Sequence, residues 1–211
     1  DIKIGSQLVI NQSQEALFVK SGEALDLFES GTHTLSTGNI PLLNKLINLP
    51  FGGNTPFTAE VWYVNKTVKR DLKWGTPSPI QVMDNLLGFP VSVRSFGKWG
   101  ARIQNSRSFI KQIVGSQIGA DDTKIHSYFI GEIIQSLSKI IATAINVNNI
   151  SILQISSSLD ELSKFSHQMI QKEFDRFGLE LVNFNIESIN ILEKEMEKIQ
   201  KVFEKTLEAK E

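Results

Sequence analysis

"FDRFGLELVNFNIESINI", residues Phe174 to Ile191, changes its hydrophobic period twice within eighteen residues. Upstream, "SLDELSKFSHQMIQKEFDRFG" (158–178) spaces its apolar residues by threes and fours. Ser158 and Glu161 stand at capping-box distance, and the expected buried set is Leu159, Leu162, Phe165, Met169, Phe174 and Phe177. Gly178 is the residue best suited to a left-handed helix stop. After it, Leu179 and Leu181 fall on one parity and Val182, Phe184 and Ile186 on the other, so a strand with a bulge at 181–182 is predicted. From Leu192 onward the pattern is helical again and almost entirely charged between apolar positions. A helix therefore packs on a sheet and feeds it a strand without a linker.

Working outward, "GADDTKIHSYFIGEIIQSLSKIIATAI" (119–145) places Ile125, Phe129, Ile133, Leu137, Ile141 and Ile145 in one i, i+4 row, with Asp121 and Asp122 where a helix start favours anions. The first hundred residues read mostly as antiparallel strands. "SQLVIN", "EALFVKSG" and "EALDLFESGTHTL" form an expected meander with a hairpin turn at Ser21-Gly22 and Leu25 and Leu27 alternating against Asp26. "TAEVWYVNKTVKRDLKWGT" resumes the period of two, with Val61, Tyr63 and Val68 against charged neighbours and Lys66 at a bend. "PSPIQVMD" supplies a short strand, and "FPVSVRSFGKWGARIQN" supplies two, broken at Gly97.

Between these strands, residues 36–57 lose periodicity: Pro41, Pro50, Pro56 and Gly52-Gly53 forbid a long regular element. The stretch is nevertheless apolar, and Leu42, Leu43, Leu46 and Ile47 are spaced for one short helical turn, with Leu49 and Phe51 following. These six residues are the candidate membrane or partner contact, Lys45 being placed to snorkel; internal packing against the sheet is the alternative reading. In "LEKEMEKIQKVFEKTLEAKE", Leu192, Met196, Ile199 and Phe203 recur at spacings of four and three, the opening of a coiled coil and the candidate oligomer contact.

Composition removes several function classes. The chain has 211 residues and no cysteine, which excludes disulfides, thiol nucleophiles and thiolate metal sites. Its 22 Lys and Arg against 23 Asp and Glu give no global field toward nucleic acid or an anionic surface, so any partner is recognised locally. No uncharged stretch reads as the roughly 20 apolar residues of a membrane span. Beginning at Asp1 with no initiator methionine or apolar leader, the chain is expected to be a piece of a longer protein. The sequons at Asn11, Asn65 and Asn149 carry no weight if the chain is cytosolic, as its lack of cysteine leads one to expect.

Chemical motifs are missing. There is no phosphate-binding G-x-x-x-x-G-K-[ST], no G-x-G-x-x-G, no H-E-x-x-H and no G-x-S-x-G. His33, His126 and His167 fall in a turn and on two different helices. No catalytic residue, cofactor or metal ligand is assigned. The least implausible polar cluster is His126 with Asp121 and Asp122, read primarily as an ordinary capped helix start. Arg94, Lys98, Arg102 and Arg107, interleaved with Phe96 and Trp99, have the look of a nucleic-acid strip, but strand alternation gives the same string, and no nucleic-acid partner is expected.

The order of elements resembles the SPFH or band 7 domain of the stomatin, prohibitin and flotillin superfamily. The likeness rests on the hairpins ending in "ESGTHTL", with its Gly-x-His turn at Gly31 to His33, on "FPVSVRSFGKWGARIQNSRSFI", and on "FDRFGLELVNFNIESINI" running into a charged helix. "STGNIPLLNKLINLPFGG", "EVWYVNKTVKRDLKWGTPSPIQVMD" and "IGADDTKIHSYFIGEI" are similar to the bacterial branch called virion-core-protein-like. The resemblance implies an α+β fold: an antiparallel sheet packed with helices over residues 1–190 (1–88 mainly β, 89–190 α/β), followed by the start of a charged coiled-coil helix at 191–211. It further implies a non-enzymatic scaffold that self-associates as a homo-oligomer and organises membrane-protein partners, cytoplasmic and peripheral to the cell membrane. The competing class is an enzyme or small-ligand binder with a pocket between sheet and helices, which requires titratable groups converging on an enclosed site.

Overall fold

The computed structural model describes residues 2–47, 58–115, 121–148 and 150–208. The fold is α+β, and the described residues form two compact units interleaved along the chain. The first comprises Asp1–Lys69, Ala101–Ile125 and Phe174–Glu180; the second comprises Arg70–Gly100, His126–Glu173 and Leu181–Glu211.

In the first unit, β2 (Gln14–Lys20) lies between β3 (Glu23–Phe28) and β5 (Glu60–Asn65), all antiparallel. Ser21 and Gly22 both take positive φ, 52° and 78°, the two-residue turn whose twist matches a β-hairpin. The expected meander stops there. β1 (Gln7–Ile10) pairs with β4 (Gly31–Thr34), not with β2, as a separate two-stranded sheet. Inside the hairpin the register slips between Leu17 and Val19, so β3 carries one extra residue. That bulge turns both Leu25 and Asp26 inward, at 5% and 6% exposure, and leaves Leu27 outside, reversing the predicted alternation. On β5, Tyr63 is exposed and Val64 takes the buried place.

The core of this unit gathers Leu8, Ile10, Phe18, Leu25, Phe28 and Leu35 around Ile40 and Leu43. Leu43 belongs to α1 (Pro41–Ile47), and α2 (Ser106–Gly115) packs against β2 and β3. At the predicted bend, Lys66 donates to Glu15 Oε2 (3.1 Å), the Gln104 carbonyl (3.0 Å) and Ser106 Oγ (3.4 Å), while the Ser106 hydroxyl also donates to Glu15. Gly178 has φ +65°, and a Cβ there would stand 2.3 Å from the Asn105 carbonyl oxygen, so both conformation and space require glycine.

In the second unit, the sheet is organised on β8 (Phe89–Ile103), which pairs with β6 (Lys69–Gly75), β7 (Ile80–Asp84) and β9 (Leu179–Ile191). β8 is one 15-residue strand rather than two broken at Gly97. Gly97 serves close approach instead: a Cβ would fall 2.0 Å from Asn185 O and 3.0 Å from the Trp74 ring. Through that gap the Trp74 indole stacks on Phe184 at 5.3 Å and donates to Asn185 O. Along β9 the buried parity changes between Leu181 and Phe184, the predicted region, and again between Ile186 and Ile189.

α3 (Asp122–Asn148) buries Phe129, Ile133, Leu137, Ile141 and Ile145 as predicted. Its stretch Asp122–Ile145 also has the length and hydropathy to cross a membrane, contrary to the composition reading, and about a third of the apolar window is buried inside the molecule. The approach to α4 (Leu159–Asp175) is a 3₁₀ segment, Ile152–Ser158, whose own cap is Ser151, which accepts from Leu153 N. The buried stripe of α4 is rotated from expectation: Phe165 is 41% exposed while Ser163, Ser166 and Ile170 are buried. The cause is the strand beside it. Ser163 Oγ accepts from Ile186 N (2.9 Å), His167 Nε2 bonds Leu181 O (2.7 Å), and Gln171 Oε1 accepts from Leu181 N (2.6 Å). Polar side chains four apart on α4 thus satisfy main-chain groups of β9, which pairs with β8 alone among the described strands.

Candidate functional site

The apolar set at 42–51 divides once α1 is folded. Asp26, turned inward by the β3 bulge, accepts from Leu42 N (3.1 Å) and Leu43 N (2.8 Å), satisfying two donors at the start of α1, with Pro41 as its first residue. The rotation this fixes sends Leu43 into the core at 0% exposure and leaves Leu42 and Leu46 out at 39% and 45%. Ile47 is half-buried against the same core. Leu49 and Phe51 lie outside the described residues.

The C-terminal set divides in a similar way. α5 (Glu193–Glu208) starts after Leu192, which is half-buried and whose N–H donates to Ser92 O at 3.2 Å. Ile199 is buried at 2%, whereas Met196 and Phe203 are exposed, together with Leu207, where the heptad stripe ends, and Val202, which lies off that stripe. The exposed apolar surface of α5 therefore concentrates beyond Ile199.

Titratable groups are dispersed. His33 Nε2 bonds Glu29 O at 2.9 Å and its ring meets Phe28 edge-on, while the His126 ring stands 5.8 Å from Trp99. Asp121 accepts from Thr123 N and Lys124 N at the start of α3, and Asp122 pairs with Lys69 at 2.6 Å. Among the described residues no three His, Asp or Glu side chains gather as a metal site. A cleft of about 290 Å³ in the second unit is lined by Thr143, Ile145, Ile155, Leu162 and Phe165, with Glu161 its single carboxylate. That lining is apolar and offers one titratable group, short of the acid-base pair that most hydrolytic or transfer chemistry uses.

The most strongly held polar group is Asp84, missed in the sequence although an Asp opening "DNLLG" is an ordinary turn signal. It is fully buried. Oδ1 accepts from Leu86 N (2.9 Å) and Leu87 N (3.0 Å), and Oδ2 accepts from Ser151 Oγ (2.8 Å) and Ile152 N (2.7 Å). Burial pushes its carboxyl up, but the four donated bonds outweigh it and hold the group below its ordinary value. The role is structural, tying the β7–β8 turn to the 3₁₀ segment.

The basic strip is partly dismantled. Trp99 is buried, Arg107 donates to the Ala24 carbonyl, Arg102 pairs with Glu180 at 2.6 Å and Lys98 with Glu187 at 3.2 Å. Arg94 and Phe96 remain exposed on β8.

The sequence is similar to the uncharacterized protein YdjI of Bacillus subtilis (strain 168), 25% identical over 193 residues. The match covers 90% of this chain but 58% of that relative, so the chain spans a little over half of the curated protein it resembles. The family model described as SPFH domain, Band 7 family, matches residues 1–207, and with the α+β architecture, the Gly178 helix stop and the β9–α5 run all in place, the chain belongs to that family.

Proposed function

We propose that this chain is the non-enzymatic core of an oligomeric scaffold that organises membrane-associated protein partners at the cytoplasmic face of the membrane. Proteins of the family are generally membrane-associated and generally lack enzymatic activity. The observation that carries the reading is the exposed apolar run Val202, Phe203 and Leu207 on α5, at 44%, 51% and 69% exposure, on a helix whose other exposed residues are mostly Glu and Lys. Such a stripe is stabilised by burial against a like helix, each large side chain contributing about 1.5–3 kcal/mol when covered. A stripe from Leu192 to Leu207 spans roughly 24 Å at the helical rise, short for a self-sufficient coiled coil, so association is cooperative with neighbouring contacts. Leu42 and Leu46, flanking the exposed Lys45, are the proposed membrane or client contact, with Leu49 and Phe51 following.

The test is light scattering on the full-length protein with Phe203→Asp plus Leu207→Asp. A fall in mass with an unchanged melting temperature supports the scaffold; unchanged mass removes α5 from the assembly. Recovery of the full-length protein from membranes, with and without Leu42→Ser plus Leu46→Ser, tests the second contact in the same way.

A further inference from the structure

The outward face of the second unit's sheet collects cations around exposed apolar side chains. On β8, Val91, Val93, Ser95 and Trp99 point inward, while Arg94 and Phe96 point outward, Phe96 at 46% exposure. β7 sets Gln81 opposite Ser92 and Met83 opposite Pro90, which brings Met83, also 46% exposed, to the same face. On β6, a Cβ at Gly75 would lie 3.6 Å from Phe96 Cβ, so the exposed Lys73, two residues earlier, shares that face. Of the two acids on β9, Glu187 is engaged by Lys98 and Glu180 by Arg102. Arg70 and Asp71 are also exposed at the start of β6, where Asp71 takes a positive φ of 58°. Lys73 and Arg94 are exposed and have no ion-pair partner among the described residues, on a chain whose net charge is −1.

We propose that this face docks on the anionic headgroups of a phospholipid bilayer, with Lys73 and Arg94 at the phosphates and Phe96 and Met83 at the edge of the acyl region. Nucleic acid fits the same cations less well. Strand binding uses a longer row of cations and aromatic platforms, and here Glu187 occupies Lys98 at one end while the second apolar group is a thioether chain that offers no ring to stack on. A sheet face with cations interspersed among exposed apolar side chains suits a headgroup layer, where each Lys or Arg strengthens binding about fivefold. The inference rests on the membrane association proposed above and names a contact separate from Leu42 and Leu46.

The experiment is co-sedimentation of the full chain with vesicles of phosphatidylglycerol in phosphatidylcholine, against pure phosphatidylcholine, at low and high salt. Three variants are compared: Lys73→Glu plus Arg94→Glu, Lys73→Gln plus Arg94→Gln, and Leu42→Ser plus Leu46→Ser. Binding is expected on the anionic vesicles only and to weaken with salt. It should fall at least about twentyfold for the charge-reversed pair and less for the neutral pair, both with wild-type melting temperatures. Anionic-vesicle binding that the charge-reversed pair leaves intact overturns the proposal; if the leucine pair alone abolishes it, the α1 contact stands and this face does not. A wild type that binds no vesicle overturns both. Loss of single-stranded oligonucleotide binding in the charge-reversed pair, with vesicle binding unchanged, assigns the face to nucleic acid instead.

Discussion

Each compact unit holds a segment in place with one buried aspartate, and the two differ in what they leave outside. In the first unit Asp26 takes two backbone donors from α1, and the helix it fixes still shows Leu42 and Leu46 to the exterior. In the second, Asp84 takes four donors from two segments, its own turn and Ser151–Ile152, and is fully buried. The same device presents a surface in one place and locks a core in the other. Number of donors is the difference that matters, because an unsatisfied buried donor costs about 1–3 kcal/mol. Asp84→Ala is therefore expected to destabilise by roughly 4–5 kcal/mol and Asp26→Ala by roughly 2 kcal/mol, allowing for water at some of the released groups. Urea unfolding followed at the midpoint checks the ranking; equal losses would mean that donor count is irrelevant.

Acidity sharpens the same contrast. The Asp84 carboxyl lies below its ordinary value in the folded chain, so the folded state binds that proton less readily than the unfolded state. Its contribution is complete above the unfolded value, about pH 4, and is lost as pH falls through the lower folded value. The melting-temperature gap between wild type and Asp84→Asn should stay constant from neutral pH down to about pH 5 and narrow below pH 4. A gap that instead widens on acidification contradicts the assignment.

Within α1 the comparison becomes one of neighbours. Leu43 is fully buried and Leu46 is 45% exposed, three residues on. Leu43→Ser removes a core side chain and introduces a hydroxyl, an expected loss of about 3–4 kcal/mol. Leu46→Ser should stay within about 0.5–1 kcal/mol and act on association instead. Thermal melts of the two single variants decide this, and similar losses would place Leu46 in the core as well.

What the sequence made legible is local. Gly178, the Ser21-Gly22 turn, the α3 row and the parity change in β9 follow from φ restrictions and side-chain period alone, and all were readable in advance. Asp26 reads as the polar side of an alternating strand because nothing near it signals the extra residue in β3; its donors lie sixteen and seventeen positions away. The pairing of β1 with β4 is equally non-local. α4 is legible in part: Leu162, Phe174 and Phe177 are buried as the period predicts, but Phe165 and Met169 are not, because the helix meets a strand's backbone there and uses Ser163, His167 and Gln171. Polar residues four apart beside a strand-forming segment were the available signal.

α5 extends the comparison into the second unit, with Ile199 buried and Phe203 half exposed one turn later. Ile199→Ala is expected to cost about 2–3 kcal/mol and Phe203→Ala less than about 1 kcal/mol in dilute protein. If both lower the melting temperature equally at low concentration, the outer half of α5 packs on its own chain and does not await a partner.

The smallest effects should come from the ion pairs. Lys69 and Asp122 in the first unit are 53% and 84% exposed, and Lys98 and Glu187 in the second are 41% each. Despite its shorter contact, 2.6 Å against 3.2 Å, the first pair sits in more water, which screens the attraction and raises the entropy lost in holding two long side chains together. A double-mutant cycle on Lys69 and Asp122 is expected to give a coupling below about 0.5 kcal/mol, and one on Lys98 and Glu187 about 0.5–1 kcal/mol. Both should shrink in 1 M salt, where the screening length falls to about 3 Å. If the Lys69 coupling is the larger, and persists in salt, then contact distance rather than exposure governs the pair, and the ordering argued from burial throughout both units would have to be reversed at this site.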